Sequence, residues 1–154
     1  MQGTKTASNE SSVRSEKISW RRLPGVALLA AITAAIANTL VYFAASGLGF
    51  ISRDVLVSTS GGESPITAGM VAGASLAGAV GAAIVFAVVG LLARHPFKLF
   101  QWIAVVVLVV SLVPPLTIPG APVAMILTLE VMHVAAWAVI VGLLTNLARR
   151  KEHA

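Results

Sequence analysis

Two ionisable side chains, Glu130 and His133, stand three residues apart inside a long apolar stretch of the chain. On a helix this spacing places both side chains on one face. An ionisable group near the centre of a bilayer costs about 2.5–3.5 kcal/mol on insertion scales, so such groups face the interior of a helix bundle and have a partner. The pair could therefore bind a proton or a small ligand, or it could fix the register of neighbouring helices through hydrogen bonds.

Other chemistry is limited by what the chain contains. Di-iron carboxylate proteins use a Glu-x-x-His motif twice, with two further glutamates, and even a homodimer of this chain would fall short of that set. Haem would need His133 as an axial ligand. The sequence has no cysteine, no nucleophile–base arrangement and no phosphate-binding glycine loop. We therefore expect a protein that is not an enzyme and that holds no metal and no cofactor.

The composition indicates which elements must position these residues. Of the 154 residues, 57% are hydrophobic and 11% are charged, whereas a soluble domain carries about 25% charged residues. A membrane-spanning helix needs about 20 apolar residues. Four apolar stretches meet this requirement, at about 25–46, 66–92, 97–118 and 122–147. They predict an all-α integral membrane protein, an up-down bundle of four transmembrane helices.

The residues outside these spans are polar. Residues 1–19 have almost no large apolar side chains and predict a disordered tail. Residues 20–148 are expected to form the transmembrane domain, and residues 149–154 a short basic tail. Ala35-Ile36-Ala37 resembles a signal-peptide cleavage site, but the apolar run continues to about Ala45, which favours a span.

Lysine and arginine are distributed asymmetrically about the predicted spans. Ten of the eleven basic residues precede the first span, separate the second from the third or follow the fourth; the exception is Arg53. The positive-inside rule then places both termini in the cytoplasm. The net charge of +5 favours this topology and attraction to anionic lipids. We therefore expect the lipid bilayer as a partner, and no nucleic acid.

The second span carries a pattern typical of helix packing. In lipid, small residues four apart allow two helices to approach closely, and the first span offers a matching row of alanines at Ala27, Ala31 and Ala35. We expect these two spans to pair, although the same pattern would also suit a homodimer face. The packing residues are Gly69, Gly73, Ala77 and Gly81.

The third span contains two adjacent prolines, Pro114 and Pro115. Each proline removes a backbone donor, and its ring clashes with the preceding turn of a helix. Backbone left unpaired at membrane depth persists only where it is buried in protein or faces a cavity. We therefore expect a helix break at this point, directed toward the interior of the bundle.

A single polar layer is predicted across the bundle. Antiparallel pairing about the turn at Gly120 puts Ser111 level with Glu130, and counting from the span ends puts further polar side chains at a similar depth. The layer is a hydrogen-bond network, a proton or small-ligand site, or a metal or haem site. The candidate residues are Glu130, His133, Ser111, Asn38, Ser75 and, just above them, Tyr42.

Two segments in the third and fourth spans resemble a known family. They are Ser111-Leu112-Val113-Pro114-Pro115 and Met132-His133-Val134-Ala135-Ala136, and they are similar to segments of small bacterial four-helix membrane proteins catalogued as domain of unknown function 6069. The resemblance covers about residues 23–148. It implies a four-span inner-membrane protein and supplies no activity.

The sequence thus favours a structural, interaction or accessory role in the membrane, as a homo-oligomer or with another membrane partner. The alternative is a proton-coupled transporter or a small-molecule binder that uses Glu130 and His133.

Overall fold

The computed structural model describes residues 18–59 and 61–149. The elements follow one another along the chain as helices interrupted by one hairpin. They are α1 (Leu23–Gly47), β1 (Leu56–Thr59), β2 (Gly62–Pro65), α2 (Ala68–Leu92), α3 (Pro96–Ser111), α4 (Val113–Leu116) and α5 (Val123–Leu147). The predicted tails, residues 1–19 and 149–154, lie almost entirely outside the described residues.

Four helices are long and apolar enough to cross a membrane, the third of them formed by α3 and α4 together over Pro96–Leu116. Each helix begins and ends within two residues of the span expected at that place. The expected all-α four-helix membrane protein is therefore confirmed. The length of an apolar stretch is a local property of the chain, so the sequence alone predicts where each of these helices begins and ends.

Helix α1 is the centre of the bundle, and it packs against α2 and α5 more extensively than any other two helices pack together. The bundle has two ends, which we call the termini end, where residues 18–23 and 144–149 meet, and the hairpin end, which carries β1 and β2. Near the termini end the ring of Phe86 contacts Phe97 and Phe100 edge-on, with centroids 5.5 and 4.8 Å apart. These rings join α2 to α3 where the two helices are connected by a short turn.

The small-residue row of α2 does not form the interface with α1, so this part of the packing prediction is wrong. The four residues of the row, Gly69, Gly73, Ala77 and Gly81, are all exposed. A Cβ added to Gly73 or Gly81 would meet no atom within 4 Å. Spacing alone identified a continuous face of the helix, but it could not say which neighbour that face meets.

The face that α2 buries instead carries larger and more specific side chains. It includes Ser75, Ala79, Phe86 and Val89. Phe86 fills space that small residues would leave empty, and Ser75 is bonded to α1. Close packing and a specific hydrogen bond together select this face for the interior.

The two chain ends are joined at the termini end. Ile18 forms an antiparallel bridge with Arg149, and the amide of Ser19 donates to the carbonyl of Ala148 at 2.9 Å. The Ile18 side chain lies directly over Gly90, where a Cβ would overlap it. Arg149 also lies 4.7 Å from the centroid of the Phe97 ring. We call this arrangement the terminal clasp.

The third span is interrupted at Leu112, between α3 and α4. Pro114 and Pro115 lie in the first turn of the short helix α4, where the missing amide of a proline removes no intrahelical bond. The hydroxyl of Ser111 donates to the carbonyl of Leu108 at 2.7 Å. The interruption thus lies just before the two prolines that were expected to cause it.

The segment between α1 and α2 contains a small antiparallel sheet. Its register runs from Leu56 opposite Pro65 to Thr59 opposite Gly62. Gly62 has a φ of 110°, which a residue with a Cβ rarely adopts. The hairpin adds one side chain, Val57, to the site described next.

Candidate functional site

A groove of about 660 Å³ lies between α2 and α3, with α5 forming its floor. It extends from Val57 and Ile66 at the hairpin end to Phe100 near the termini end. Pockets that hold small molecules measure about 300–1,000 Å³. The groove therefore has the size of a small-molecule site and lies within the apolar part of the helices.

One flank of the groove is open between α2 and α3. Val107 of α3 and Val85 of α2 line it and are still 59% and 37% exposed. The α2 wall is built from small residues, including Gly78 and Gly81, and a Cβ on either would meet no atom within 4 Å. Because no side chain fills the space beside these glycines, the groove stays open toward the surface that the helices present to hydrocarbon.

Most groove-lining residues are aliphatic, and among those described none is Asp, Glu, Lys or Arg. Four of the six residues predicted as a polar layer meet here. They are Asn38, Ser75, Ser111 and His133. Four of the six predicted residues therefore line one groove, whose other lining residues are mostly apolar.

The side chains of Asn38 and Ser75 join α1 to α2. Each is 5% exposed, and Asn38 Nδ2 donates to Ser75 Oγ at 3.0 Å. Ser75 Oγ in turn donates its single proton to the carbonyl of Val71 at 2.9 Å. A serine hydroxyl has one proton, so it can only accept from Asn38, and this fixes the orientation of the Asn38 amide. Asn38 Oδ1 is then left buried without a partner.

The imidazole of His133 is held by its own helix. His133 Nδ1 lies 2.7 Å from the carbonyl oxygen of Leu129, and a carbonyl only accepts, so Nδ1 carries the proton. In the neutral ring Nε2 is therefore an acceptor. Because Nδ1 is tied back to the helix and the half-buried ring lines the groove, Nε2 is the polar atom that the ring offers there.

Glu130 does not line the groove with the other members of the predicted layer. Its Oε1 atom is buried and has no hydrogen-bond partner, and His133 donates to Leu129 rather than to the carboxylate. A spacing of three residues rotates two side chains by about 60° around a helix. Because of this rotation, the Glu130 side chain lies beside the groove that His133 lines.

Tyr42 also lies outside the groove. Its hydroxyl donates to the carbonyl of Ile66 at 3.1 Å, and this bond ties α1 to the segment between β2 and α2. The expected position above the polar layer suits this contact, but the contact is an anchor for the hairpin end rather than part of the groove.

The predicted site omits Trp137, which lines the groove one turn beyond His133. Its indole Nε1 is buried without a partner. The sequence contains a signal for it, since a residue four positions from His133 lies on the same face of a helix. Within residues 18–59 and 61–149, no three His, Cys, Asp or Glu side chains are grouped so that they could hold a metal ion.

Comparison with known proteins gives one match. The sequence model of a family described as "Family of unknown function (DUF6069)" matches residues 18–150. No curated protein and no solved structure matches the chain.

Proposed function

Because the chain belongs to the DUF6069 family, whose function is unknown, we propose its role from its own groove: it is a multi-pass membrane protein that takes up a lipophilic small molecule between α2 and α3. The observation that carries this proposal is a groove of about 660 Å³ that is open between two apolar helices and has polar atoms on its floor.

The position of the opening favours a ligand that partitions into the bilayer. The exposed valines of α2 and α3 at the groove mouth are as apolar as lipid chains, so a water-soluble ligand would gain nothing by approaching along this flank. His133 lines the groove with its Nδ1 atom bonded to its own helix, which leaves Nε2 as a polar atom for a ligand. A lipophilic ligand with one polar group would therefore suit the groove better than a pure hydrocarbon.

We propose that binding proceeds without a catalytic step. The two serine hydroxyls in the groove, Ser75 and Ser111, both donate their protons to carbonyls of their own helices. Because each hydroxyl has one proton and donates it to a carbonyl, neither donates to His133 Nε2, the ring nitrogen that could act as a general base. This arrangement supports a binding role over an enzymatic one.

The proposed location is a bacterial plasma membrane, with both chain ends in the cytoplasm. Ten of the eleven basic residues lie in the terminal segments, between α2 and α3 or in the first turn of α3, which supports this orientation. Arg94 and Lys98 flank the turn at the termini end, and Arg53 lies toward the hairpin end. The hairpin end of the groove would then be the outer one.

A structural or accessory role is the second candidate. It is favoured by the exposed part of the small-residue row of α2 that does not line the groove, Gly69, Gly73 and Ala77, which would suit a second copy or another membrane protein. In that case the groove would be filled by ordinary lipid chains and would show no selectivity.

The test of the proposed function is native mass spectrometry of the protein extracted in detergent. We expect one bound lipophilic molecule per chain, with its occupancy strongly reduced by Gly78→Phe, which projects a ring into the groove. Gly73→Phe is the matched control, because Gly73 has the same open surroundings on the same helix but does not line the groove. Equal occupancy in the two variants would refute the proposal.

A further inference from the structure

We infer that the lipophilic ligand carries an uncharged hydroxyl group, or a similar neutral group that donates a hydrogen bond, and that this group binds His133 Nε2. The inference rests on the proposed function, and it adds the chemical class of the ligand. Two observations lead to it: the charge of the groove and the use of its protons.

The groove offers no permanently charged side chain. Among its described lining residues none is Asp, Glu, Lys or Arg, and the titratable one is His133. A phosphate, carboxylate or ammonium group placed there would be desolvated without a permanent counterion, which is strongly unfavourable. The polar part of the ligand is therefore neutral.

The protons that the groove residues could donate are already largely committed. Ser75 and Ser111 donate to Val71 and Leu108, and His133 Nδ1 donates to Leu129. What remains on His133 is the Nε2 lone pair of the neutral ring. A ligand that only accepts hydrogen bonds would leave that atom unpaired, whereas a donating ligand would satisfy it.

The side chain of Trp137 also lines the groove, one helical turn from His133 and about 6 Å along the helix axis. Its Nε1 atom is itself buried, so the indole offers a ligand apolar ring atoms rather than a donor. A hydroxyl bound to His133 Nε2 therefore lies close to this ring and finds its protein partner in His133 alone.

Trp137 makes this inference directly testable, because it reports from inside the groove. The other two tryptophans, Trp20 and Trp102, are exposed, and replacing both with Phe leaves Trp137 as the single fluorophore. The protein is reconstituted in phosphatidylcholine nanodiscs. The probes are 9,10-dibromooctadecan-1-ol and its methyl ether, which share an apolar body and a quenching group but differ in the donor.

We expect the alcohol to half-quench Trp137 at about a fivefold lower mole fraction than the ether, as one neutral hydrogen bond would give. His133→Leu should make the two probes equal. His133→Gln should restore part of the difference, because its amide oxygen is an acceptor. A chain that retains only Trp102, which is 72% exposed, measures quenching by probe dissolved in the bilayer.

The outcomes separate the two proposals. If neither probe quenches Trp137 beyond the Trp102 control, the groove is not a binding site and the proposed function is wrong. If both probes saturably quench Trp137 with equal potency, the proposed function stands and the hydroxyl inference is overturned. A preference for the alcohol that persists in His133→Leu would overturn the assignment of His133. The comparison of the two probes with unaltered His133 needs no groove substitution, so it decides the ligand class even if His133→Leu does not fold.

Discussion

The bond between Asn38 and Ser75 supports a prediction in which the effect of one substitution depends on another. Ser75→Ala removes the acceptor of Asn38 Nδ2 and leaves a side chain that is 5% exposed with neither polar end paired. Losing the partner of a buried polar group costs about 1–3 kcal/mol, and measured bonds between membrane helices average about 0.6 and reach about 1.7 kcal/mol. We expect Ser75→Ala to lower the free energy of unfolding by about 1–1.5 kcal/mol.

The same substitution should be nearly silent once Asn38 is Leu. Leucine has a similar volume and no polar atoms, and Ser75 keeps its own bond to Val71. Ser75→Ala in the Asn38→Leu background should therefore cost less than about 0.5 kcal/mol. Asn38→Leu alone should cost little, because it also removes the unpaired Oδ1 atom.

The assay is equilibrium unfolding of the purified protein in mixed detergent micelles, followed by circular dichroism for the four variants of this double-mutant cycle. Thr145→Val is the control, since Thr145 is equally buried but donates only to Val141 of its own helix. It should show the same small effect in both backgrounds. Additive costs for Ser75→Ala and Asn38→Leu would refute the reasoning, because they would mean that the two side chains do not interact.

Three further predictions concern other parts of the chain. Gly25→Ala, in open space on α1, should stabilise the protein by about 0.5–1 kcal/mol through helix propensity, whereas Gly90→Ala should lose that gain because its Cβ must displace the Ile18 side chain; thermal unfolding measures both. Glu130→Gln should leave quenching of Trp137 by the alcohol unchanged, since Glu130 does not line the groove. Weaker quenching in this variant would mean that Glu130 takes part in ligand binding. With no native cysteine, Ser58→Cys should react with an impermeant maleimide in intact cells and Lys98→Cys should not; the reverse result would invert the proposed topology.

The features that could be predicted from the sequence are those set by length along the chain. Apolar length gave the four helices, and rise per residue placed Asn38 and Ser75 at one depth, where the structure joins them directly. The interruption near Pro114 follows from the chemistry of a single residue type. These properties need no knowledge of which helices become neighbours.

Rotation about each helix could not be predicted in the same way. The row that contains Gly73 is regular, but whether it meets a helix or lipid depends on neighbours that lie far away in sequence. Glu130 and His133 share a helix face only to within about 60°, and of the two only His133 lines the groove. The hairpin was missed because two four-residue strands with polar residues lack a distinct hydrophobic period.

The terminal clasp means that the described chain is almost a closed loop. The hydrogen bond between Ser19 and Ala148 brings its two ends side by side, while the turn between Thr59 and Gly62 lies at the opposite end of the bundle. A circular permutant that links residues 18 and 149 and opens at this turn would retain every contact between helices. Both of its new ends would emerge on the other side of the membrane. The side on which the chain begins could thus be changed while the packing of the helices stays the same.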